Sequence, residues 1–184
     1  GRPPRFGRTL IVCGEGGGRR FLDRFDAAIR HLGLDPSVAE DMIRVTEYPV
    51  HMMDDDLVAE LLDLIEAERE QGGFDLIGID TLAANMGGGD ENLAKDMSVF
   101  WDAVRDVRIK TQAAVVIVHH TGHQAQDRPQ GSNILRRNVD VELLIQRDNE
   151  DHGLFGLCGG PSFGLKDKDG PGCGSQICVY KYHG

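Results

Sequence analysis

The chain holds 184 residues with a formal net charge of -10, 40% of them hydrophobic and 27% charged; this balance suits one folded domain and excludes a disordered tail or a lipid-embedded protein. Its longest apolar tract, Ala113 to Val118, is far short of the roughly twenty residues that cross a bilayer, so no membrane partner is expected, and four unevenly placed cysteines point to a reducing, cytoplasmic setting. Residues 39–105 carry seventeen acids and four bases, and residues 1–38 four acids and seven bases, which leaves only local loops or patches for contact with nucleic acid.

Thr9 to Cys13 is a continuous apolar run stopped by Gly14-Glu15-Gly16-Gly17-Gly18, the pattern of a buried strand ending in a loop. From Arg19 to Leu34, Phe21, Leu22, Phe25, Ala28, Ile29 and Leu32 fall at helical spacing. Asp35-Pro36-Ser37 breaks the pattern, and Ile43 to Val45 predicts a short strand. Asp54, Asp55 and Asp56 predict a helix start, with Leu57, Leu61, Leu62, Leu64 and Ile65 as its buried side. A second buried strand, Asp75 to Asp80, runs into a carboxylate, and the polar, glycine-rich stretch from Asn85 to Asn92 reads as too hydrophilic to pack. Leu93 to Thr111 predicts a helix with Met97, Phe100, Trp101, Val104 and Val107 inward, and Ala113 to Val118 predicts a third strand closing on His119-His120.

Beyond the polar segment from Thr121 to Gln130, strands are expected at Val139–Ile145 and Gly153–Leu157, joined by a charged turn at Arg147–Asp151. A terminal hairpin follows from Phe163 to Gly170 and Ile177 to Tyr182. Residues 1–184 thus read as one domain, with 146–184 supplying its last strands and hairpin. Alternating strands and helices predict an α/β sandwich with a largely parallel sheet, whose strands' carboxyl ends share one edge. Ligands usually bind along that edge.

Glu15, Asp80 and His119-His120 stand at the three strand ends. Asp80 could orient a magnesium ion, Glu15 could polarise a water for attack on phosphorus, and His120 could sense a terminal phosphate. Taken singly, each has a plainer reading: a helix cap at Asp80-Thr81, a solvated turn acid at Glu15, a structural histidine. The glycines after Cys13 superficially resemble a phosphate loop but lack the order G-x-x-x-x-G-K-[ST], and none of the five lysines, at 95, 110, 166, 168 and 181, follows a glycine. A zinc site from His119, His120 and His123 with Asp80 is disfavoured, because consecutive strand side chains point to opposite faces. The cysteines, Cys13, Cys158, Cys173 and Cys178, are too few and too unevenly spaced for a disulfide scaffold.

Leu10 to Gly17, Asp75 to Ala83, Gly88-Gly89-Asp90-Glu91-Asn92 through Asp96-Met97, and Val115 to Gly122 together resemble the RepA-like replicative helicases and related RecA-like, AAA-type ATPases of plasmids and phages. The likeness spans about residues 9 to 145. It implies a RecA-like three-layer α/β sandwich with a largely parallel sheet and a C-terminal hairpin. It further implies Glu15 as the acid that activates water, Asp80 as the Walker B aspartate holding the metal, Thr81 beside it at the nucleotide, and His120 as the sensor.

The resemblance also places Gln130 to Asp140 on the family's R-G-S-S-x-L-R-G-x-x-D segment, with Gln130, Asn133 and Arg137 departing from it and His123 standing where a lysine is usual. Arg136, Arg137, Lys166 and Lys168 become the candidates for a basic residue reaching a neighbouring subunit's phosphate. Magnesium (Mg2+) and ATP, a ring-like homo-oligomer, single-stranded DNA and replication proteins are the implied ligands and partners. The family's Walker A loop would precede Arg2 to Gly7, so an incomplete domain with an N-terminal P-loop unit missing, and little ATPase activity of its own, is expected. The alternatives are an inactive, ATPase-derived interaction module and a metal-dependent hydrolase using Glu15, Asp80 and a histidine.

Overall fold

A computed structural model describes residues 7–120 and 133–147, together with the strands at 154–159 and 176–181. The chain divides into two compact units, residues 1–120 and 121–184, each carrying its own sheet.

In the first unit β1 (Thr9–Cys13), β2 (Ile43–Val45), β3 (Leu76–Asp80) and β4 (Ala114–Val118) form a parallel sheet in the order β2-β1-β3-β4. The register sets Leu10, Ile77 and Val115 level with one another, and Val12, Ile79 and Ile117 level two residues on. Side chains alternate across a strand, so these residues share one face; Leu10, Val12, Ile77 and Ile79 are at most 1% exposed. Burying each contributes about 1.5–3 kcal/mol before the entropy of ordering is set against it. On the other face of β4, Val116 and Val118 are 50% and 46% exposed. Cover on both faces was expected for these apolar strands, and among the described residues β4, the last strand of this sheet, departs from it.

Helices α1 (Gly17–Leu32) and α2 (Pro36–Met42) pack together, and α1 also touches β1 and β2. Helix α3 (Asp55–Ala67) packs on α5 (Ala94–Thr111), which touches β4, while the single turn α4 (Leu82–Asn85) follows β3. Asp54 caps α3, its carboxylate accepting from the amides of Asp56 and Leu57, as the run of three aspartates predicts. Met97, Phe100, Val104 and Val107 form the inward stripe of α5. Val58 joins Leu61 and Ile65 as the buried side of α3, whereas Leu64 is 44% exposed.

Three local expectations need correction. Asp35-Pro36-Ser37 starts α2 as well as ending the previous pattern: the Asp35 carboxylate accepts from both the amide and the hydroxyl of Ser37, and proline is pre-shaped for a first helical turn. Along α1 the helical spacing is real, yet only Ile29 and Gly18 are buried. The stretch from Asn85 packs at its start, with Asn85 0% and Met86 1% exposed, because an amide that fills its own hydrogen bonds can be buried.

At the amino end of β1, Arg8 acts as a clamp. Its amide donates to the Asp75 carboxylate at 2.9 Å. Its guanidinium donates to the carbonyls of Glu68, Gln71 and Gly73 and to the Glu68 carboxylate, and lies 5.2 Å from the centre of the Phe74 ring. One side chain thereby closes the carboxyl end of α3 onto the start of β3.

The second unit contains α6 (Asn133–Asn138) and an antiparallel sheet of β5 (Leu143–Arg147), β6 (Leu154–Gly159) and β7 (Gln176–Lys181), in the order β5-β6-β7. The strand expected from Val139 thus begins at Leu143, after a helical turn, and the strand expected from Gly153 begins at Leu154. The turn after Arg147 and the first arm of the expected hairpin, Phe163 to Gly170, lie outside the described residues. Among the described residues no helix is long and apolar enough to cross a membrane.

Candidate active site

The registers of β1, β3 and β4 put Cys13, Asp80 and Val118 side by side at the carboxyl edge of the sheet. Glu15, Thr81 and His120 therefore leave from three neighbouring strands. Gly14 extends the ladder by donating its amide to the Asp80 carbonyl. A Cβ there would lie 2.5 Å from the Ala84 Cβ and 2.7 Å from Asn85 Nδ2, so only glycine lets the chain pass this close to α4. Gly16 and Gly17, at φ of 74° and 75°, then turn it into α1.

At this edge Glu15 Oε1 accepts a hydrogen bond from the Thr81 hydroxyl at 2.8 Å and lies 3.3 Å from His120 Nε2. Thr81 is 2% exposed, and its hydroxyl oxygen accepts from the Ala84 amide at 3.4 Å, capping α4. A hydroxyl has one proton. With the helix amide on its lone pair, that proton is directed at Glu15. The peptide bond between Asp80 and Thr81 is cis. Asn85 anchors the same turn: its Nδ2 donates to the Thr81 carbonyl at 2.8 Å, and its Oδ1 accepts from the Val50 amide at 3.0 Å.

These contacts set the charge states. The hydrogen bond from Thr81, then that from His120, hold the Glu15 carboxyl below the usual glutamate range. Burial first, then the negative charge of Glu15, push Asp80 up, with Arg24 and His120 partly offsetting them. Burial, followed by the nearby Asp80 charge, also raises the thiol of Cys13, which is a free and buried cysteine. The arrangement is thus an ionised, oriented Glu15 beside an Asp80 whose negative charge is disfavoured by burial and by Glu15.

The donors are oxygens, which suits Mg2+ rather than a softer ion. Among the described residues no three His, Cys, Asp or Glu side chains gather as a metal cage. The oxygen-bearing side chain at this edge that could meet such an ion is the Asp80 carboxylate, with Thr81 beside it. His119 and His120 turn to different carboxylates, His119 Nδ1 lying 3.9 Å from Glu91 Oε2; His123 lies outside the described residues.

Of the other residues picked from the sequence, Arg136 and Arg137 lie on α6 in the second unit and are exposed, Arg136 Nε at 3.2 Å from Glu142 Oε2. Lys166 and Lys168 lie outside the described residues. Sequence reasoning passed over Arg24, Asn85 and the bond from Thr81 to Glu15. The spacing of Thr81 and Asn85 was a usable signal, since residues four apart meet on a helical turn.

Residues 1–126 match the protein family described as AAA domain. The chain belongs to the AAA-domain family. Among solved structures, the crystal structure of the RadB recombinase is similar, with a TM-score of 0.58 and 16% identity over 84% of this chain and 69% of that one. That likeness concerns the fold alone: a RecA-like three-layer α/β sandwich with a mostly parallel sheet. No curated protein matches the chain. In this AAA-domain chain, Asp80 and Glu15 occupy the carboxyl edge at which α/β sheets of this kind bind ligands.

Proposed function

We propose that this AAA-domain chain is the hydrolytic part of a RepA-like DNA helicase or a related mobile-element ATPase, with ATP as substrate. The observation that carries the reading is the group formed by Glu15, Thr81 and His120 beside Asp80 at the sheet edge. Two acids with opposite displacements in acidity, and an imidazole on one of them, match the division of labour that phosphoryl transfer requires.

Glu15 orients the attacking water and accepts its proton. Oε1 is engaged by Thr81 and His120, so Oε2 is the oxygen left to face water. A carboxylate with a lowered pKa is a weak base, but phosphoryl transfer depends more on aiming the water than on early removal of its proton. His120, 65% exposed and 3.3 Å from Glu15, would contact the terminal phosphate and report its presence through Glu15. Asp80, with Thr81 next to it, would hold Mg2+, which when bound spreads the charge of the phosphates. The energetic penalty on the Asp80 charge falls when a cation arrives, so protein and nucleotide favour the ion together.

A ring-like homo-oligomer completes the proposal. The sheet edge carries Glu15 and Asp80, whose charge Arg24 and His120 offset only in part, and a polyphosphate calls for more positive charge. A basic side chain from a neighbouring copy, with Arg136, Arg137, Lys166 and Lys168 as candidates, would supply the missing charge. Single-stranded DNA would pass through local loops, consistent with the acidic total, and replication proteins would be the remaining partners. The test is ATP hydrolysis with and without single-stranded DNA by the natural polypeptide containing these residues, in wild type and Asp80→Asn; measurable and equal turnover in the two would refute the assignment of Asp80.

A further inference from the structure

Helix α1 is amphipathic but buries little. Of its sixteen residues only Ile29 and Gly18 are buried, while Leu22 and Leu32 are 48% and 67% exposed. The Phe21 and Phe25 rings stack on the same helix with their centres 6.5 Å apart. The helix is nonetheless properly closed. The Gly33 amide donates to the Arg30 carbonyl at 3.2 Å and the Leu34 amide to the Ile29 carbonyl at 3.1 Å, with Leu34 57% exposed beyond that end. An apolar stripe at helical spacing on an ordered helix marks a surface that packs against something.

Beside this stripe lies a groove of about 260 Å³, to whose lining α1 gives Leu22, Phe25 and Ile29, α2 gives Pro36 and Glu40, and β2 gives Ile43. Asp26, also at the groove, is balanced by Arg30 at 2.6 Å. The volume falls below the roughly 300–1,000 Å³ of small-molecule pockets, so a few apolar side chains of a larger partner suit it better. β2 begins the sheet order β2-β1-β3-β4, which puts the groove at a flank of this unit.

Charge selects the partner. Residues 19–24 carry three arginines and one acid, Asp23, whereas α2 carries Glu40 and Asp41 and no base. These charges lie at opposite ends of the face. α1 leaves the carboxyl edge of β1 and runs back to the amino edge, where α2 leads straight into β2, whose Ile43 is level with Thr9 at the start of β1. A helix of this length spans about 24 Å. Arg19 and Arg20 are exposed and form no ion pair among the described residues, and of Glu40 and Asp41 only the carbonyls accept hydrogen bonds there. A face that is positive at one end, negative at the other and apolar between complements a copy of itself turned end for end, which is what a two-fold axis supplies.

We propose that the face formed by α1 and α2 is the docking site of a second copy of this chain, with the two α1 helices antiparallel across a two-fold axis. Leu22 and Leu32 lose their exposure in that contact, and Arg19 and Arg20 of each copy meet Glu40 and Asp41 of the other. Such a contact closes on two copies. It is therefore separate from the ring proposed above and does not depend on the reading of Glu15 and Asp80.

The test is sedimentation velocity of the 184-residue chain over a concentration series, with the fold of each variant checked by circular dichroism. Wild type is expected to dimerise reversibly. Leu22→Glu and Leu32→Glu should raise the dissociation constant by about tenfold or more, while Leu64→Glu, at a 44% exposed position on α3, should leave it unchanged. Arg19→Glu and Glu40→Arg should each weaken the dimer, and the double variant, which exchanges the two charges, should restore it. If Leu22→Glu does not fold, Leu32→Glu and the charge exchange decide, since both alter exposed side chains. A monomeric wild type would overturn the proposal, as would a dimer that the leucine variants leave intact. Weakening by the single reversals without rescue in the double would overturn it too, by removing the antiparallel pairing.

Discussion

The Thr81 hydroxyl donates to Glu15 Oε1 at 2.8 Å while accepting from the Ala84 amide. One buried side chain thus joins the start of a helix to the candidate base. Removing the hydroxyl with its shape preserved, in Thr81→Val, should cost about 1 kcal/mol, or roughly 2–4 °C in the thermal midpoint for a chain of this size. Glu15 has its pKa lowered in the folded chain, so its stabilising contribution is present above the unfolded glutamate value and lost as pH falls through the folded one. The gap between wild type and Thr81→Val should therefore be widest near neutrality and narrow on acidification, measured by thermal melts across pH.

Asp80 has the opposite sign. Its pKa is raised by burial and by Glu15, so its negative charge has no effect below the unfolded value, opposes folding increasingly as pH rises above it, and does so in full above the folded one. Asp80→Asn should raise the thermal midpoint at neutral pH, with the gain vanishing in acid. The same change should weaken magnesium-dependent nucleotide binding in the natural polypeptide, measured by titration with and without the ion. A stabilised but weaker-binding variant is the expected pair of results.

Some of this was legible in the sequence for physical reasons. A carboxylate directly after an apolar run, as at Asp80, announces a strand end, and a glutamate among glycines announces a sharp exit. What joins them was not legible, because the bond between Thr81 and Glu15 needs β1 and β3 adjacent and in register, and no local pattern encodes that pairing. Asn85 escaped for a related reason: a polar residue in a glycine-rich stretch reads as solvated until its three partners, the backbones of Thr81, Val50 and Met52, are known. The exposed apolar side of α1 went the other way, since periodicity reports a helix and an apolar stripe but not what covers it.

Gly14 tests how closely the site depends on backbone approach. Gly14→Ala would drive a methyl group to within 2.5 Å of the Ala84 Cβ, and overpacking of this kind costs typically about 1–3 kcal/mol. Displacement of the chain also moves Glu15, the next residue. The expected outcome is a lower thermal midpoint with a larger proportional loss of hydrolysis than of nucleotide binding, read from melts and paired activity assays.

Arg8 provides the contrast, since its clamp sits at the amino end of the strands. Arg8→Met should cost about 3 kcal/mol, because it leaves four carbonyls, those of Asp41, Glu68, Gln71 and Gly73, without this donor and leaves Glu68 with Arg44 as its remaining cation. Arg8→Lys should recover only part of this, as a single ammonium cannot reach several acceptors in a fork. Urea denaturation measures both, and turnover per folded molecule should stay near wild type.

The central assignment is Glu15 as the group that aims and deprotonates the attacking water. The most direct measurement is single-turnover ATP hydrolysis, beside ATP binding, by the natural polypeptide containing these residues, in wild type and Glu15→Gln. Gln keeps the acceptor for Thr81 and His120 but cannot take a proton. The predicted result is a fall in the hydrolysis rate of about 100- to 10,000-fold with binding preserved; an unchanged rate in a folded Glu15→Gln variant would contradict the account.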